Sequence, residues 1–291
     1  MGRFARSWEV TKLTFSVMAK EKELFVFPIL SSVFSLIFLA ILLVPTILIS
    51  IFSGESVIFT ATEYILILIS YFGVAFIATF FNVCVSYTAA LAFAGQEARF
   101  STSMRFAFSR IHVIFLWTLL SATVGLIFKI IEGIARKIKG IGALVIMILN
   151  ALFKMAWSIV TIFVIPGLVY HNLKPFAAIK KSVEVLKKTW GETLIKYIGF
   201  GIAEFMLILP AIIIGIVIAF LVLPVSFILS IIIILILIIY VIIIALVFGV
   251  ANQIFNTALY AYAESGRIPG PYTQDIMQNA FRSKKKKPLG I

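Results

Sequence analysis

The chain has one cysteine, Cys84, two histidines and one aspartate, Asp275, among 291 residues. A single cysteine excludes an intramolecular disulfide framework. The apolar residues around Cys84 make it a small packing side chain. His112 and His171 have no clustered Cys, Asp or Glu nearby to complete a metal site, and they read as hydrogen-bonding residues near an interface. No G-x-S-x-G, H-E-x-x-H, Walker A loop or dinucleotide fingerprint occurs. No catalytic residue, cofactor or metal is therefore expected. An enzyme would have to draw its acid and base from glutamates scattered over helices. Charge is scarce as well, at 13% of residues against 62% hydrophobic. Soluble domains are about half apolar and a quarter charged, so this composition excludes a soluble fold. The mean hydropathy, +1.15, agrees.

What the chain does have is long apolar runs. They give an all-α, polytopic membrane protein with six transmembrane helices as three hairpins. The predicted spans are 25–52, 64–94, 111–130, a stretch within 142–170, 194–223 and 226–263. Pro28 falls in the first turn of the first span, where its missing N–H costs nothing. Pro45, Pro166 and Pro210 lie inside spans and are candidate kinks. Several runs exceed the roughly 20 residues a bilayer needs, so tilt, kinks or projecting ends are expected. The apolar run nearest the N-terminus is too long for a cleavable signal, and none is expected.

The net charge of +13 flanks these spans. It therefore speaks of topology and lipid headgroups, with no nucleic acid expected. Of the 25 lysines and arginines, 20 fall on one side. They are those before the first span, those between the second and third and between the fourth and fifth, and those after the sixth. This bias puts both termini in the cytoplasm of a multi-pass cell-membrane protein. The exception is the outer connection KIIEGIARKIKG (129–140), basic and amphipathic. It is either an external interfacial helix or the end of a long third span. Lys154, near the outer surface with Asn150, is expected to snorkel outward.

A ten-residue phrase recurs. RSWEVTKLTF (6–15) and KSVEVLKKTW (181–190) share a basic residue, Ser, an apolar residue, Glu, Val and a late aromatic. On a helix Phe4, Trp8, Thr11 and Phe15 share a stripe, as do Ile179, Val183, Leu186 and Trp190. Each reads as a basic amphipathic helix lying on the cytoplasmic membrane surface. A weaker copy, FSRIHVIFLW (108–117), precedes the third span. Two hairpins also close alike, with TAALAFAGQE (88–97) and TALYAYAESG (257–266). The chain thus reads as one transmembrane domain, 1–266, with pseudo-repeats at about 1–98, 99–172 and 173–266, each opening on a surface helix. A basic cytoplasmic tail, 267–291, follows and leaves the membrane after Pro271.

RSWEVTK followed by KEKELFVFPIL (20–30), and ALYAYAESGRIPG followed by QDIMQNAFR (274–282), resemble an uncharacterised prokaryotic family of polytopic membrane proteins, that of the domain of unknown function 6159. The resemblance covers both termini and the six-span plan between them. It implies that plan and no activity, so no site residue is carried over from it. The hairpin plan is also loosely similar to that of Yip1-like proteins and of the membrane domain attached to some glycerophosphodiesterases.

Candidate functional residues follow from depth. Glu204 lies inside an apolar run, where a charge costs roughly 2.5 to 3.5 kcal/mol on insertion scales, so it is a functional candidate. Asn82, Asn252 and Asn256, with Tyr87 and Gln253 nearby, are assigned the same cytoplasmic half. They are either interhelical hydrogen-bonding glue or the lining of a polar cavity. Trp8, Lys180, Lys181, Lys187, Lys188 and Trp190 are candidates for lipid headgroups. Lys284, Lys285, Lys286 and Lys287 either bind anionic lipid or form a solvated stop. Two functions compete. One is an oligomeric channel or transporter-like protein for a small solute, ion or lipid. The other is a non-transporting organiser that binds anionic membrane lipids or a cytosolic partner. The expected partners are membrane lipids and further copies of the chain.

Overall fold

A computed structural model describes residues 3–53, 61–138 and 140–273. All the regular structure in them is helical. The elements are α1 (Arg3–Lys20), α2 (Glu23–Ser53), α3 (Ala61–Phe93), α4 (Phe100–Ser109), α5 (Ile111–Lys137), α6 (Ile141–Thr161), α7 (Val164–Tyr170), α8 (Pro175–Val222) and α9 (Phe227–Ser265). Six stretches are long and apolar enough to cross a membrane, within α2, α3, α5, α6–α7, α8 and α9. The protein is an integral membrane protein.

The breaks have local causes. Pro166 has no N–H to give the carbonyl of Ile162, and the chain turns there between α6 and α7. The freed amide of Phe163 donates to Ser182 Oγ at 3.1 Å. Gly140 and Gly266 take positive φ, 80° and 65°, at the start of α6 and the end of α9. A left-handed residue closes a helix at least cost when it is glycine.

Burial divides the long helices into two zones. In α9, Ile228, Ile232, Leu235, Ile239 and Ile243 are exposed, whereas nearly every side chain from Phe248 to Tyr260 is buried. In α3 the exposed stretch includes Tyr64, Ile65 and Leu68, and burial begins near Thr79. In α2, Leu24 and Phe27 are enclosed while Leu36, Ile37 and Ile41 are not. Such apolar surface is untenable in water and marks where lipid covers the protein. The exposed part of α9, 227–247, is about 31 Å long at 1.5 Å per residue, close to the roughly 30 Å hydrocarbon core. The remainder of α9 joins α1, α4, α7, the start of α8 and the ends of α2 and α3. Together they form a packed cap at the end of the bundle that carries the chain termini. The core is there, with Phe27, Val83, Phe163, Phe200, Ile254 and Leu259 among its members. The spans predicted as 64–94 and 226–263 match the apolar helical stretches 64–93 and 227–265, and their buried ends project into the cap as their length led one to expect.

The helices pack in a cycle. The second helices of the three hairpins, α3, α6 with α7, and α9, meet through α3, α7 and α9. Each first helix packs on its own partner and on the hairpin before it: α5 on α3, α8 on α6 and α7, and α2 on α9. Likewise α4 packs on α3, the start of α8 on α7, and α1 on α8 and α9.

Three local expectations change. The stretch 129–137 continues α5 without a break, so it is the end of a long third helix and no separate interfacial one. The phrase 108–117 is split at Arg110, where α4 stops and α5 starts, so it is no single helix. The second surface helix is α4, and its buried Ser103 stands three residues after Phe100, as Ser182 stands three after Ile179. Thirdly, α8 runs 48 residues unbroken, so its first turns do not lie flat on a membrane. They continue antiparallel to α9, with Lys181 on Glu264, Phe200 beside Phe255 and Gly215 against Leu237. The buried positions of this segment are Ala178, Ser182, Val185 and Leu186; of the predicted stripe Leu186 is buried and Ile179 and Val183 are half-buried, so protein packing takes the face beside the stripe as well as part of it.

Candidate functional site

The residues that carry chemistry are concentrated in the cap and at its border with the apolar zone. Glu204 is half-buried in α8, 19 residues before the turn at Leu223. That is about 28 Å along a helix, so its carboxylate sits near the far edge of the hydrocarbon core rather than at its centre. Phe200 meets Phe248 and Leu207 meets the Tyr240 hydroxyl, which places Glu204 level with the 244–248 turn of α9. Asn252 is a further turn towards the cap and half-buried, and Asn256 is buried one turn beyond it. Asn82 is exposed on α3. Of the four predicted pathway residues, Glu204 and Asn252 are half-buried, Asn256 is buried and Asn82 is exposed.

The polar side chains that do converge form closed pairs. Ser86 and Thr257 hold hydroxyl to hydroxyl at 2.7 Å between α3 and α9. Thr88 and Ser103 do the same at 2.7 Å between α3 and α4. Ser182 Oγ donates to the Val160 carbonyl at 2.5 Å, locking α8 to the end of α6. Thr14 of α1 meets the Tyr272 hydroxyl at 2.9 Å. None of these was singled out from sequence. Thr88 and Thr257 nonetheless open the two repeated closing motifs, TAALAF and TALYAY, a signal that points to both.

The chain just after Pro271 packs against the cap. Tyr272 is buried with its ring against Phe93 and Phe255, and burial holds its phenol above the ordinary range. Lys284, Lys285, Lys286 and Lys287 lie outside the described residues, as does the Trp190 side chain.

At the surface of the cap is an ion cluster. Glu264 accepts from Lys181 at 2.8 Å and pairs with His171 Nε2 at 3.1 Å. Glu184 bridges Lys181 at 3.4 Å and Lys188 at 3.2 Å. The bond to Glu264 raises the Lys181 ammonium above its ordinary value, and the bonds from Lys188 and Lys181 lower the Glu184 carboxyl. Of the predicted headgroup residues, Lys181 and Lys188 are therefore engaged within the protein. Lys180 and Lys187 are exposed, and Trp8 is 58% exposed beneath the Lys12 ammonium.

The opposite end holds a smaller polar group. The Asn150 amide donates to the Phe128 carbonyl at 3.1 Å, and Lys154 pairs with Glu132 on α5. Lys154 thus has an anionic partner across its own hairpin instead of reaching the interface alone. Cys84 is enclosed, its sulfur 3.8 Å from the Ser103 carbonyl.

The chain belongs to the family described as "Family of unknown function (DUF6159)", which it matches over residues 61–270. No curated protein and no solved structure matches it. The looser likeness to Yip1-like proteins therefore rests on hairpin plan alone.

Proposed function

We propose that this protein is a non-transporting organiser of a membrane surface, whose basic cap faces the cytoplasm and gathers anionic lipid headgroups. One observation carries the reading: the polar side chains that converge do so within the cap and in closed interhelical pairs. The apolar zone then serves as an anchor. Lys12, Lys20, Lys22, Lys180 and Lys187 are exposed around the cap. Near an anionic leaflet each such lysine contributes about 1 kcal/mol. Reconstituted protein should show no ion or solute flux above empty vesicles and should retain anionic over zwitterionic lipid through purification. Changing Lys180 and Lys187 to Gln should reduce that retention, as should salt. Saturable flux, or lipid retention blind to headgroup charge, would remove the proposal.

The transport reading has support of its own. Glu204 has no hydrogen bond or ion pair among the described residues, and Asn82 is an exposed amide at the border of the apolar zone. In a homo-oligomer both would meet a neighbouring copy. Light scattering on the solubilised protein, with flux measured for Glu204→Gln, separates this reading from the first. A monomer with silent Glu204→Gln leaves it without basis.

A further inference from the structure

Two polar atoms of the cap are fully enclosed and have no hydrogen-bond partner, Gln253 Nε2 and Tyr260 Oη. Both belong to one face of α9. Gln253, Thr257, Tyr260 and Glu264 recur at intervals of four, three and four, which aligns them along one side of a helix. The neighbours confirm the alignment. Thr257 meets Ser86 of α3, Tyr260 stacks on Tyr170 at the end of α7, and Glu264 bonds His171 and Lys181. Thr257 also donates to the Gln253 carbonyl at 2.8 Å. The face thus alternates satisfied and orphaned groups, from the ion cluster at the surface to the base of the cap.

An orphaned buried donor loses its bonds to water and gains none in return. Buried polar groups in folded proteins are paired with protein or with ordered water. Gly167 of α7 faces the Tyr260 hydroxyl, and a Cβ placed there would stand 3.7 Å from it. A methyl group there would stand in ordinary contact with the phenol. Beyond Gln253 the same side of α9 carries Gly249, Val250 and Leu246, which offer no polar group.

We infer that this face of α9 holds internal water at two places, one bonding the Tyr260 hydroxyl next to the Glu264–His171–Lys181 cluster and one accepting from the Gln253 amide, with the paired Thr257 and Ser86 between them. No polar group continues this face beyond Gln253, so the cap is hydrated without a path across the apolar zone. The waters tie α9 to its neighbours through solvent, where apolar side chains at 253 and 260 would have made a dry contact.

Millisecond hydroxyl-radical labelling by X-ray radiolysis of the full-length protein in nanodiscs tests this, because bound water generates radicals in place. Tyr272 is the internal control: it is the same residue type, is also buried, and its hydroxyl is satisfied by Thr14. Tyr260 should be oxidised several-fold faster than Tyr272. Equal, slow labelling of the two would overturn the inference. Tyr260→Phe gives an independent reading: its melting temperature should fall as the bound water loses a partner. A rise would mean that a dry, unpaired hydroxyl had been removed, and would also overturn it.

Discussion

Ser86 and Thr257, 171 residues apart in sequence, share a hydrogen bond of 2.7 Å at the junction of α3 and α9. Both side chains are fully buried. Thr257 also donates to the Gln253 carbonyl, so Thr257→Val strands the Ser86 hydroxyl whereas Ser86→Ala leaves Thr257 one partner. Thr257→Val should destabilise the protein by about 1 to 3 kcal/mol and Ser86→Ala by less. The double variant should lose less than the sum, because neither partner is left orphaned. Thermal unfolding in detergent of the four proteins of this cycle measures the coupling, and strict additivity would show that the pair contributes nothing as a unit.

The ion pair between Lys154 and Glu132 allows a similar comparison in the apolar hairpin. Lys154→Leu leaves the Glu132 carboxylate unpaired, and Glu132→Leu does the same to Lys154. Breaking such a pair from one side costs more than removing both members. The double Leu variant should therefore melt above either single variant. If it melts lowest of the three, the pair stabilises the hairpin by its own attraction.

Acid and alkali should act on the cap through different residues. The raised Lys181 means that its contribution is fully present below the ordinary lysine value of 10.5 and is lost as pH rises through the higher folded value. The lowered Glu184 contributes above the ordinary carboxylate value of 4.5, and that contribution is lost as pH falls through the lower folded value. Stability should thus be flat between these limits and fall outside them. Both groups are largely exposed, so salt should shrink both limbs. Melting curves of Lys181→Gln across pH should lack the alkaline fall attributable to this residue, and an unchanged alkaline limb would assign it elsewhere.

Orientation is open to direct labelling. In a Cys84→Ser background, a cysteine at Ser226, in the turn before α9, should react with an impermeant maleimide on intact cells. A cysteine at Lys174, at the start of α8, should react only after permeabilisation. The reverse pattern would invert the proposed topology.

The repeated phrase at 6–15 and 181–190 shows how far local pattern carries. Its buried positions agree between copies: Val10 matches Val185, and Thr11 matches Leu186. Spacing alone revealed a one-sided helix in each case. It left open what covers that side, since lipid and a neighbouring helix both accept Val and Leu. In α8 the cover is protein, supplied by α6, α7 and α9. Thr14 and Tyr272 make the same point for polar residues. Neither stands out from its neighbours, and they bond each other only because a chain segment 258 residues away returns. Glu204 was conspicuous for the opposite reason, as a charge in an apolar run, yet depth depends on where the membrane border falls across packed helices.

The sequence by itself determined the all-helical class, six apolar spans and three hairpins, because hydropathy and helical period are sums over neighbouring residues. The amphipathic character of α1 and of the start of α8 was equally local. Tertiary structure decided where the apolar zone ends and the cap begins, and that the first turns of α8 stand beside α9. It also decided that Ser86 finds Thr257 and Lys181 finds Glu264. Those outcomes depend on which helix faces which. In a chain where most faces are apolar, packing shape and a handful of hydroxyls select the neighbours, and their pairing is not written in any one segment.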